Sequence, residues 1–136
     1  MGYYFDTSIW MDFLEDGDEV GNPKSSYARA LISLIAKEGG KIIVSDLNPI
    51  ELEKYGYTLP ELDEMFGVFF RTVMFVETSE KIRKRARDLA GKRNIPRKDA
   101  VHALLARKYR AIFVATDNHF KNVSDIIIAK RPADVF

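Results

Sequence analysis

The sequence predicts an α/β fold in which a parallel sheet carries helices on both faces. Three observations predict it. Short apolar runs recur at residues 3–5, 41–44, 73–76, 111–115 and 126–128; apolar without alternation, they read as strands buried on both sides. Longer segments between most of these runs repeat their apolar residues every three or four positions. No internal repeat and no long linker interrupts the 136 residues, which predicts one domain spanning 1–136.

Taken in order, residues 3–5 form a strand ending at Asp6. Ser8 can cap a helix running to about residue 14, with Trp10, Phe13 and Leu14 on one side. The segment EDGDEVGNPKSS is the clearest loop signal, and its acids Asp16, Asp18 and Glu19 read as solvated. Over residues 26–38, Ala28, Leu31, Ile32 and Ile35 recur at helical spacing, and Gly39-Gly40 stops the helix. KIIV (41–44) is a strand. Asn48-Pro49 opens a helix with Pro49 at its first position.

Thr58, Pro60 and Glu61 open the next helix, which carries Leu62, Met65, Phe66, Phe69 and Phe70. Its apolar residues cover more than one face, as expected of a core helix or of a surface for a second chain. Residues 73–76 form a strand. Ser79 starts a basic helix whose inward stripe is Ile82, Ala86, Leu89 and Ala90, and Asn94-Ile95-Pro96 breaks it. Pro96 launches a helix with Ala100, Val101, Leu104 and Leu105 inward. Residues 111–115 form a strand ending at Thr116-Asp117, and residues 126–128 form the last.

Composition narrows the function classes. The chain has 46% hydrophobic and 30% charged residues, which excludes disordered and low-complexity classes. There is no cysteine, which excludes disulfide scaffolds, thiol catalysis and cysteine-based zinc sites. The most apolar stretch, MFGVFFRTVMFV, is short and contains Arg71, so no span of about 20 apolar residues exists to cross a bilayer. No signal-peptide pattern opens the chain, and a cytoplasmic protein is expected. The net charge of +1 hides an asymmetry: residues 1–80 hold 6 basic and 15 acidic side chains, residues 81–110 hold 12 and 2. Such a basic stretch fits a polyanion, or simply a solvated helix face.

Four acids fall where an α/β sheet builds sites, beyond the C-terminal ends of its strands. Asp6 ends the first strand, Asp117 follows the fourth, and Glu51 and Asp99 lie in first turns of helices. Each also has a local explanation. Asn48 and Glu51 have capping-box spacing, Asp99 suits a helix start, Asp6 precedes a helix, and Asp117-Asn118 can form a turn. Together, four carboxylates near one edge repel unless a cation joins them, and hard oxygen ligands select Mg²⁺ or Mn²⁺. Such an ion suits phosphate-ester hydrolysis, and the basic helix suits a nucleic-acid substrate.

At this point the motifs resemble the PIN domain family, and within it the small VapC-type toxin nucleases. YYFDTS resembles the opening strand with its first acid, Asp6, followed by Thr7. IIVSDLNPIELEKYG resembles the second motif, with Ser45 and Glu51. IPRKDAVHALLARKY is similar to the third, placing an acid at Asp99. AIFVATDNHF resembles the fourth, with Thr116, Asp117 and Phe120. The resemblance implies a three-layer α/β/α sandwich with a five-stranded parallel sheet. It implies a Mg²⁺- or Mn²⁺-dependent endoribonuclease leaving 5′-phosphate and 3′-hydroxyl ends. It further implies a homodimer, RNA as substrate and a small antitoxin partner. Asp6, Glu51, Asp99 and Asp117 are the expected catalytic and metal-binding residues, Asp6 and Asp99 the firmest direct ligands. Thr7 and Thr116 are expected to hydrogen-bond a carboxylate or phosphate. Arg97 and Lys98 are placed to hold a phosphate, and His119, two past Asp117, sits at the mouth of the site, where it is expected as a surface turn residue with RNA contact as the alternative. His102, with no second His or Cys at zinc spacing, is expected to pack or support rather than to ligate.

Other readings stay open. A PIN nuclease of RNA processing needs no antitoxin, and a non-catalytic PIN module binds RNA or protein. A DxD-type phosphatase needs an acid where Ser8 stands, and a receiver needs an acid pair at Asp6 that is absent.

Overall fold

The computed structural model describes residues 2–15 and 23–136. The acidic loop with Asp16, Asp18 and Glu19 lies outside the described residues. Five strands form one sheet: β1 (Gly2–Phe5), β2 (Lys41–Ser45), β3 (Val73–Val76), β4 (Ile112–Val114) and β5 (Ala129–Lys130). The order is β3-β2-β1-β4-β5, and every pairing is parallel. The helices are α1 (Thr7–Leu14), α2 (Lys24–Lys37), α3 (Leu47–Lys54), α4 (Leu59–Val68), α5 (Glu80–Arg93), α6 (Arg97–Lys108) and α7 (Pro132–Val135), with a 3-10 helix at Asn118–Val123.

Strand alternation divides the core in two. Tyr3, Phe5, Ile42 and Val44 point to one face and pack against α1, α2 and α4 through Trp10, Ile32 and Phe66. Tyr4, Ile43 and Phe113 point to the other and pack against α5 and α6 through Ala86, Ala103 and Leu104. The period of two follows from the pleat, and it produces the α/β/α sandwich. α6 is buried on most of its surface, from Asp99 to Ala106. Ala100, Ala103 and Ala106 keep it thin enough to sit between the sheet, α5 and the 3-10 helix. Any side chain it carries toward the sheet edge is therefore rigidly placed.

Local signals explain the helix boundaries. Thr58 caps α4 in a full capping box with Glu61, and the Ser79 hydroxyl accepts from the amide of Ile82 to start α5. Gly39, at φ 72°, takes the left-handed turn that ends α2.

Three local expectations are corrected. α3 begins at Leu47, so Pro49 sits third rather than first; proline is tolerated there because first-turn amides have no intrahelical acceptor. Asn48 is not a cap, since its side chain reaches across to other elements, as described below. The last strand is Ala129–Lys130 rather than 126–128. Ile126 and Ile127 instead pack into the α5/α6 core as a turn, because pairing with β4 requires Ala129 opposite Phe113. The apolar helix α4 resolves both ways: Leu62, Met65 and Phe66 are core, while Val68 and the following Phe70 are exposed.

Candidate active site

Sheet order reverses at β1. The chain builds β2 and β3 on one side of β1, then returns to place β4 on the other. A crevice opens at such a point, beyond the strands' C-terminal ends. Asp6 follows β1 directly, and its amide donates to the carbonyl of Val114 in β4, 3.0 Å away. Glu51 arrives on α3 after β2, Asp99 on the first turn of α6, and Asp117 at the start of the 3-10 helix after β4. Asp6, Glu51 and Asp99 are buried and Asp117 is exposed.

The acids form two connected groups. In the first, Glu51 Oε1 accepts from the Thr7 hydroxyl at 3.0 Å and lies 2.5 Å from Nε2 of His102. Asp6 Oδ2 accepts from the Ser8 hydroxyl at 2.9 Å, and its Oδ1 is 3.9 Å from His102 Nε2. In the second, Nδ1 of His119 lies 3.3 Å from Asp99 Oδ2 and 3.1 Å from Asp117 Oδ1. Asp117 also accepts from the His119 amide at 2.8 Å. Asp99, Asp117 and His119 bring ligand atoms within 4.8 Å of one another.

Their electrostatics differ in sign. Burial pushes the Asp6 carboxyl above its usual range, aided by the charge of Glu51 and opposed by His102 and Ser8. Burial does the same to Asp99, and the charges of Asp6 and Asp117 add to it. Burial also disfavours the Glu51 charge, but the hydrogen bonds from His102 and Thr7 and the charge of Lys98 outweigh it and hold that carboxyl low. Hydrogen bonds and positive charge thus outweigh burial at Glu51, whereas burial and neighbouring acids outweigh them at Asp6 and Asp99. Carboxylate oxygens crowded in that way are the donor set that a hard divalent cation takes.

A buried polar network supports this edge. The Tyr4 hydroxyl lies 2.6 Å from His102 Nδ1 and 2.8 Å from the Ser45 hydroxyl. Asn48, fully buried, accepts from the Ser45 amide at 2.9 Å and donates to the Thr7 hydroxyl at 3.0 Å and the Phe5 carbonyl at 3.4 Å. Tyr4, Asn48 and Ser8 were not singled out from sequence as site residues. The signal for Asn48 is present as Ser45, Asn48 and Glu51 spaced by three, which puts Asn48 and Glu51 on one face of α3.

The other expected residues fall as follows. Thr7 reaches a carboxylate. Thr116 is exposed, and none of the hydrogen bonds within the acid groups involves it; it lines two clefts instead, one of them shared with Asp117. Lys98 Nζ stands 3.9 Å from Glu51 Oε2 with its side chain half exposed. Arg97 is exposed one residue before it. His119 joins Asp99 and Asp117 rather than standing apart as a turn residue.

No curated protein matches the chain in sequence. Solved structures that resemble it in fold include the following three. VapBC2 from Rickettsia felis, bound to a DNA fragment from its promoter, has a TM-score of 0.68 at 19% identity, covering 96% of this chain and 98% of that one. A toxin-antitoxin complex from Klebsiella pneumoniae has a TM-score of 0.64 at 17% identity, covering 96% and 97%. VapC20 from Mycobacterium tuberculosis, a sarcin-ricin loop cleaving toxin, has a TM-score of 0.65 at 15% identity, covering 96% and 99%. The family model of the PIN domain matches residues 3–126, a span that holds all four acids, and the chain belongs to the PIN domain family.

Proposed function

We propose that this protein is a divalent-metal-dependent endoribonuclease and the toxin of a toxin–antitoxin pair. The observation that carries the reading is the gathering of buried Asp6 and Asp99 with Asp117 at the switch point, where the charges of Asp6 and Asp117 both bear on Asp99. The donor set fits Mg²⁺ or Mn²⁺, with Asp6 and Asp99 as the principal ligands and Asp117 and Glu51 completing the set directly or through water. Such an ion, when bound, supplies positive charge to phosphate oxygens and makes a water more acidic.

The chain's own residues do the remaining work. Thr7 and His102 both hold Glu51 Oε1, which leaves Oε2 to orient the attacking water. Lys98 lies beside that oxygen and, with Arg97, draws the phosphodiester toward the acids. Water rather than the 2′-hydroxyl attacks the phosphorus and the bond to the 3′-oxygen breaks, so products carry 5′-phosphate and 3′-hydroxyl ends.

The likeness to structures of toxin–antitoxin proteins supports the pairing with a small antitoxin. Val68, Phe70 and Phe75 are 61–70% exposed around the β3 edge, which supports a homodimer. No helix among the described residues is long and apolar enough to cross a membrane, in keeping with a cytoplasmic protein.

The test is cleavage of end-labelled mixed-sequence RNA in Mn²⁺ or Mg²⁺, beside EDTA and beside Asp99→Asn. Cutting that requires both metal and Asp99 is the expected result. A folded parent that neither cuts nor binds the ion overturns it in favour of a non-catalytic PIN module.

A further inference from the structure

The acids account for a metal, but Asp117 sits at the end of the site away from Lys98, and a negatively charged strand leaving there needs its own cation. Register identifies one. β5 pairs with β4 so that Val114 faces Lys130, and the Ala115 amide donates to the Lys130 carbonyl at 2.9 Å. Arg131 therefore leaves the sheet at the same C-terminal edge as Thr116 and Asp117, one strand further out. Adjacent strands lie about 4.8 Å apart, so Arg131 stands roughly 10 Å across the edge from the strand that carries Asp6.

Two clefts meet at this residue. One holds Asp117, Asn118, Lys121 and Ser124, the other Asp12, Lys24 and Tyr27, and Thr116 and Arg131 line both. Arg131 is exposed, and among the described residues its guanidinium makes no ion pair or hydrogen bond. The neighbouring arginines differ: Arg93 is committed to Asp125 and Arg107 to the carbonyl of Ile126. Thr116 is exposed beside Arg131 and takes no part in holding the carboxylates. A planar guanidinium with free donors next to a free hydroxyl is a phosphate-binding pair.

We infer that Arg131, with Thr116, binds a backbone phosphate of the RNA strand beyond the scissile one, on the Asp117 side of the site, and that the cleft walled by Lys121 and Ser124 takes the intervening nucleotide. This rests on the ribonuclease reading and assigns its substrate path. Arg131 is a substrate-binding residue here, distinct from the acids. With Lys98 at the opposite end of the acid row, the strand is held on both sides of the cut.

The test is fluorescence anisotropy of labelled single-stranded mixed-sequence RNA with the full chain in EDTA, titrated over salt, followed by steady-state cleavage in Mn²⁺. Arg131→Ala is expected to weaken binding about fivefold and to reduce the salt slope by about 0.7, the value for one phosphate contact on a single strand. KM rises while kcat holds. Arg131→Lys restores the salt slope, because it keeps the charge. Lys37→Ala, an exposed cation at the end of α2, leaves binding unchanged. A parent that binds RNA, with Arg131→Ala binding equally well at the same slope, overturns this inference alone. A parent that neither binds nor cuts RNA overturns the ribonuclease reading beneath it.

Discussion

Nε2 of His102 lies 2.5 Å from Oε1 of Glu51, at the end of a buried hydrogen-bonded path that runs from Ser45 through Tyr4 to Nδ1 of the same ring. The path closes when the ring donates from Nε2 to the carboxylate and accepts from the Tyr4 hydroxyl at Nδ1. Burial pushes the Tyr4 phenol far up, so that hydroxyl keeps its proton and remains a donor. The imidazole is fully buried. It joins β1, α3 and α6 and fixes which oxygen of Glu51 faces the site.

His102→Ala is expected to cost about 3 kcal/mol, because it strands a buried carboxylate and a buried hydroxyl at once. Urea denaturation measures it. A loss under about 1 kcal/mol would mean that water replaces the ring without penalty. Cleavage should fall with it, and His102→Gln should recover part of the stability.

Asp99→Asn should stabilise the metal-free fold at neutral pH while abolishing cleavage. The Asp6 and Asp99 carboxyls are held above their usual range chiefly by burial, with the charge of Glu51 adding to it at Asp6 and the charges of Asp6 and Asp117 at Asp99. Their ionisation therefore costs stability. The cost is absent below the ordinary carboxylate value near 4, grows as pH rises through the raised values, and is complete above them. Glu51 has the opposite sign: its contribution is present above the ordinary value and is lost as pH falls through its lowered one. Thermal melts in EDTA from pH 4 to 8 should show the parent losing stability across the range and Asp99→Asn losing less, a difference on the order of 1 kcal/mol. Added Mn²⁺ should raise the parent's Tm and shift the variant little.

Asn48→Ala separates two explanations of one residue. A helix cap would cost about 1 kcal/mol and leave the chemistry alone. The buried bridge from Ser45 to Thr7 and Phe5 should cost about 2–3 kcal/mol. It should also lower kcat, since Thr7 loses the donor that orients it toward Glu51. Chemical denaturation and cleavage rates on the same preparation decide between them.

Lys98→Glu should weaken RNA binding about tenfold and flatten its salt dependence, with little effect on stability because the side chain is half exposed. Unchanged affinity at low salt would remove Lys98 from the substrate path.

The four acids were legible in the sequence because each sits at a boundary that local chemistry marks: the end of an apolar run, or the first turn after a proline or a helix break. The sheet was legible for the same reason, since KIIV and AIFVA are apolar on both sides and only a covered parallel sheet buries them. Local signals failed where a distant partner overrode them. Asn48 has the spacing of a capping box, yet its hydrogen bonds go to β1 and to Thr7. Residues 126–128 have the composition of a strand, yet the register with β4 selects Ala129–Lys130.

By itself, then, the sequence determined the alternation of strands and helices, the apolar stripes that the helices turn inward, and the edge at which the carboxylates collect. Those follow from periodicity and capping, which act within a few residues. Only the tertiary structure decided that His102 would lock Glu51, that His119 would stand between Asp99 and Asp117, and that Arg131 would emerge beside Thr116. Each joins residues far apart in the chain. Strand order and register bring them together, and no local preference encodes a distance across the sheet.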